Sequence, residues 1–146
     1  MLVALAKQLG WQIPATFEEE FTSTGGSLDL RFELQLTPDL AEFIAGYEHV
    51  CFVDAHTGNI PDEIRVVEVK GEYQHSPFTH HMTPATCLAM AQSLYGGNPQ
   101  VILISVRGYE FGFEQALSAR AQDLTEQAAG KINAWINDNK LIDIAG

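Results

Sequence analysis

Between residues 28 and 36 apolar and polar positions alternate. Leu28, Leu30, Phe32, Leu34 and Leu36 fall on one face, and Asp29, Arg31, Glu33 and Gln35 on the other. That two-residue period predicts a half-buried strand. His49-Val50-Cys51-Phe52-Val53 and Val101-Ile102-Leu103-Ile104-Ser105-Val106 have no such alternation; runs apolar throughout predict strands buried on both faces. Ile64-Arg65-Val66-Val67-Glu68-Val69 is a further strand. Thr37-Pro38 supplies an N-cap followed by proline at the first helical position, which predicts a helix over 38–45 ended by Gly46. Thr83-Pro84 repeats the signal and opens a helix carrying Leu88, Ala91, Leu94 and Tyr95 as far as Gly96-Gly97. Ser118 caps a long final helix with Ala121, Leu124, Ala128, Ile132 and Trp135 inward. Residues 2–9 read equally as a short helix ended by Gly10 or as the beginning of a strand. Residues 17–23 read as an acidic strand with Glu18-Glu19-Glu20 on a solvated edge, followed by a turn at Gly25-Gly26.

Strands alternating with helices, some of them apolar throughout, predict one α/β domain over 1–146, a three-layer α/β/α sandwich with a mostly parallel sheet. Such folds put their chemistry in loops beyond the carboxyl ends of the parallel strands. That rule selects the loop after Asp54, the loop before Thr83, and the segment from Arg107 to Glu114.

The 146 residues are enough for a core that needs no staples, and 46% of them are apolar. Nineteen acidic against eight basic residues give a formal charge of −11. A nucleic-acid or anionic-membrane partner is therefore not expected, since both need a basic face. Cys51 and Cys87 lie far apart, each in apolar surroundings, and read as free buried thiols of a reducing compartment. The opening Met1-Leu2-Val3-Ala4-Leu5-Ala6-Lys7 has no basic leader and no cleavage site, and no apolar run reaches the roughly 18 residues of a membrane span. A cytoplasmic location is expected.

All five histidines, His49, His56, His75, His80 and His81, lie between positions 49 and 81. Asp54 follows a buried strand, and His80-His81 precede a helix start. Each has a plain structural alternative: the aspartate as a loop cap, the histidines as surface loop residues. Taken together, Asp54 with His80 or His81 offers oxygen and nitrogen donors suited to a borderline divalent ion such as nickel or zinc. No nucleophile elbow, H-E-x-x-H pair or dinucleotide-binding glycine pattern occurs.

These residues resemble the [NiFe]-hydrogenase maturation endopeptidases. Phe52-Val53-Asp54-Ala55, followed by Gly58 and Pro61, is similar to that family's second block. Gln35-Leu36-Thr37-Pro38-Asp39-Leu40-Ala41-Glu42 and Phe78-Thr79-His80-His81-Met82-Thr83-Pro84 are similar to one of its branches, and Phe111-Gly112 with Leu117-Ser118 to its last block. The likeness spans about 28–137. It implies removal of a C-terminal extension from a hydrogenase large-subunit precursor. The nickel belongs to the substrate, and the enzyme has no tightly bound cofactor of its own. Asp54 matches the family's aspartate and His80 its histidine, as catalytic residues that touch the nickel; His81 is the adjacent alternative ligand.

The family's glycine-rich acidic block, which supplies a third contact, does not occur in this sequence. A first strand of about six residues goes with it. Asp62 also stands where the family often has glycine. The chain is read as starting downstream of the block, and as given is expected to be inactive and to bind a divalent ion weakly. The alternative is a non-catalytic module that binds a metal-loaded precursor or another partner protein. If Asp54 and His80 are not the centre, Glu110 and Glu114 are the next acids to consider.

Overall fold

The computed structural model describes residues 21–24, 28–33, 35–56, 60–74, 81–108 and 119–139. Its elements are β1 (Phe21–Thr24), β2 (Asp29–Phe32), α1 (Asp39–Ala45), β3 (His49–His56), β4 (Ile64–Val69), α2 (Pro84–Tyr95), β5 (Gln100–Arg107) and α3 (Ala119–Asp138). The readings of 2–9, of Glu18-Glu19-Glu20 and of Ser118 as a cap lie outside the described residues.

Strands β1 and β2 form an antiparallel pair with Phe21 opposite Phe32 and Thr24 opposite Asp29. The alternation from residue 28 is expressed as a strand only over Asp29–Phe32, with Leu30 buried. The other sheet has three strands in the order β3-β5-β4. The Gln100 N–H donates to the Glu48 carbonyl at 2.8 Å and the Gly108 N–H to the His56 carbonyl at 3.0 Å. Donor and acceptor numbers advance together, so β3 and β5 are parallel. The Arg107 N–H donates to the Glu63 carbonyl at 2.8 Å, so β4 begins where β5 ends and runs against it.

The sheet is thus α/β in character but mixed, which corrects the expectation of a mostly parallel one. The reason is the length of the β3–β4 connection. Residues 57–63 are too few for the crossover of a dozen or more residues that a parallel return needs.

The chain divides into two compact units, one of residues 34–54 and 65–104, the other of 1–33, 55–64 and 105–146. In the first, α1 and α2 pack through Leu40, Ala41, Ile44, Cys87 and Ala91, and Val50, Phe52 and Met82 lie against that cluster. Burying each aliphatic side chain of this size contributes roughly 1.5–3 kcal/mol. Helix α2 starts as expected: the Thr83 hydroxyl oxygen accepts the Thr86 N–H at 3.2 Å, with Pro84 in the first turn. It ends at Gly96, whose φ of 68° is the left-handed conformation glycine adopts without strain. Of the apolar residues it carries, Leu88 and Ala91 are buried with Thr86, Cys87 and Ala89, whereas Leu94 and Tyr95 are 62% and 48% exposed. Helix α1 also departs from expectation at its start. Pro38 is the cap residue, no side chain caps the helix, and the Thr37 hydroxyl donates to the Asp39 carboxylate.

In the second unit α3 buries Leu124, Ala128, Ala129, Ile132 and Ile136, a stripe at spacings of three and four that faces inward. Trp135 is half-buried, and its carbonyl accepts both the Asn139 backbone N–H at 3.1 Å and the Asn139 side-chain amide at 2.8 Å, which closes the helix. Ala121, expected inward, has no described side chain.

Two glycines separate packing from propensity. A Cβ on Gly97 would stand 2.6 Å from both Cα and the carbonyl oxygen of Ala45, whereas one on Gly130, exposed in α3, would meet nothing within 4 Å. Gly97→Ala should therefore destabilise the protein by about 1–3 kcal/mol, the usual cost of overpacking against backbone. Gly130→Ala should stabilise it by about 0.5–1 kcal/mol. Urea unfolding midpoints that moved in the same direction for both variants would contradict this packing.

Candidate functional site

Asp54 was expected to end its strand. Strand β3 instead continues through Ala55 to His56, so Asp54 lies within it. Alternation puts Val50, Phe52, Asp54 and His56 on one face of the strand. Val50 and Phe52 pack on the α1–α2 cluster, and Asp54 comes next along that face as an exposed carboxylate. The run His49-Val50-Cys51-Phe52-Val53 is half-buried, not fully buried as its composition predicted.

His81 is exposed and sits just ahead of α2, and its neighbour Met82 packs on the same cluster as Phe52. The cluster thus anchors the residue two before Asp54 and the residue after His81. The chain leaving β4 is tied to this region. The Gln74 side-chain amide donates to the His81 carbonyl at 2.9 Å, the Glu72 N–H to the Ala85 carbonyl at 3.1 Å, and the Thr86 hydroxyl to the Glu72 carbonyl at 3.2 Å. His75 and His80, between the tied positions 74 and 81, lie outside the described residues, as do Glu110 and Glu114. Among the described residues, no three His, Cys, Asp or Glu side chains gather closely enough to hold a metal ion.

The histidine that the structure places most firmly is one the sequence did not single out. His56 is 8% exposed, and both of its ring nitrogens are engaged. Nε2 lies 2.7 Å from the Asp62 carbonyl oxygen, and Nδ1 lies 3.0 Å from the Ser105 hydroxyl. A carbonyl only accepts, so Nε2 carries the proton. In the neutral ring Nδ1 then accepts the Ser105 O–H. With both nitrogens committed, the imidazole is a clasp and not a free base or ligand. Two signals pointed to it. His56 continues the Val50–Phe52 face of its strand, and Ser105 is the one hydroxyl in an apolar run, a buried group that needs a partner.

The thiols have no part in this chemistry. Both cysteines are free. Burial pushes the Cys51 thiol up to about 12. Burial, reinforced by the Asp39 carboxylate, pushes Cys87 up to about 11. Neither is a thiolate near neutral pH, the form needed for attack or metal binding. Among the described residues, no helix is long and apolar enough to cross a membrane. Comparison with known proteins gives no match: no family model, no curated protein and no solved structure is similar to this chain.

Ser105→Ala leaves the buried His56 Nδ1 without its donor and should cost about 1–3 kcal/mol, measured as a fall in unfolding free energy. A variant as stable as the parent would show that the clasp carries no load. The thiols predict a pH dependence. Their folded values lie above the ordinary 9.0, so above about pH 9 unfolding releases protons and stability falls as pH rises towards 11 or 12. Cys51→Ala should flatten that decline, read as unfolding midpoints between pH 8 and about 10.5. A decline as steep in the variant as in the parent would assign it to other groups.

Proposed function

We propose that this chain is a relative of the [NiFe]-hydrogenase maturation endopeptidases, and that Asp54 and His80, with His81 as the neighbouring alternative, contact the nickel carried by a large-subunit precursor. The observation that carries the reading is the shared anchorage just described. Phe52 and Met82, the neighbours of Asp54 and His81, pack on one cluster, in a sequence whose blocks follow the family's order. In this reading the sheet is the middle layer of an α/β/α sandwich, and the protein works in the cytoplasm without a resident cofactor.

The chemistry would run through the substrate's own cation. A carboxylate and an imidazole that grip it fix the adjacent scissile peptide, and the cation polarises that peptide's carbonyl or a water. No protein nucleophile is required, which agrees with thiols held in their neutral form. A second reading is a non-catalytic module that binds the metal-loaded precursor; the glycine-rich acidic block, which does not occur in this sequence, is what separates the two.

The test is C-terminal processing of a nickel-loaded large subunit, followed by its loss of mass. The 146-residue chain should bind nickel weakly and leave the precursor intact, because two donors hold a cation poorly. A version carrying a glycine-rich acidic block ahead of residue 1 should cleave it. Asp54→Asn in that version should abolish cleavage, since the amide keeps the shape and loses the charge. At least a tenfold loss of nickel affinity should accompany it. Cleavage that survives Asp54→Asn would end the proposal. Tight binding of the precursor without cleavage, in every version, would establish the module instead.

A further inference from the structure

We draw no further inference here: the strongest candidate, the outer edge of β4 around the half-exposed Val66, has no neighbouring strand on that side among the described residues, and nothing in the structure shows what covers it.

Discussion

A chain that leaves β3 and returns as β4 has to pass the end of the strand between them, and there its backbone must be satisfied without a ladder partner. His56 meets that requirement. Its carbonyl accepts the Gly108 N–H, its Nε2–H donates to the Asp62 carbonyl, and its Nδ1 accepts the Ser105 O–H. An unpaired buried polar group costs about 1–3 kcal/mol, so the bond matters most to the buried Ser105 hydroxyl and the buried imidazole itself. The segment is also held from the β5 side, where the Arg107 N–H reaches the Glu63 carbonyl, and from α3, where Arg120 pairs with the Glu63 carboxylate. The ion pair is partly exposed and contributes little; the buried imidazole sets the geometry.

This explains how far the sequence could be read. Thr83-Pro84 and Gly96 marked α2 correctly because capping is local: a side-chain oxygen three residues from an N–H, and a glycine free to turn left-handed. The apolar run of β5 was legible because successive residues along it are buried, and a strand buried on both faces needs no polar one. Strand direction was not legible from apolar content. It followed from the shortness of the 57–63 connection, a signal of length rather than composition. Apolar content along α2 did not tell which residues are covered: Cys87, Leu88 and Ala91 are buried, while Leu94 and Tyr95 are exposed.

The candidate site was legible only in part. Asp54 could be placed near a strand end, but the sequence does not reveal that the strand runs on to a buried histidine. His56 looked like one more member of a histidine-rich stretch. Its role depends on Ser105, 49 residues away in sequence, and on a backbone carbonyl that no sequence pattern records.

The parallel pairing of β3 with β5 has a consequence for how the protein is made. Glu48 and Gln100, whose bond opens that ladder, are 52 positions apart (100 − 48). On a ribosome adding about 5–20 residues per second, β3 emerges roughly 3–10 s before its partner strand exists. Through that interval its half-apolar run is a nascent strand without a neighbour on the β5 side, and loop-closure entropy delays the pairing further. Helix α1 (Asp39–Ala45) precedes β3, so Leu40, Ala41 and Ile44 of the cluster that Val50 and Phe52 join are made before the strand, while Cys87 and Ala91 of the same cluster come after it. Birth order along the chain thus leaves β3 half-covered until α2 and β5 have both been made.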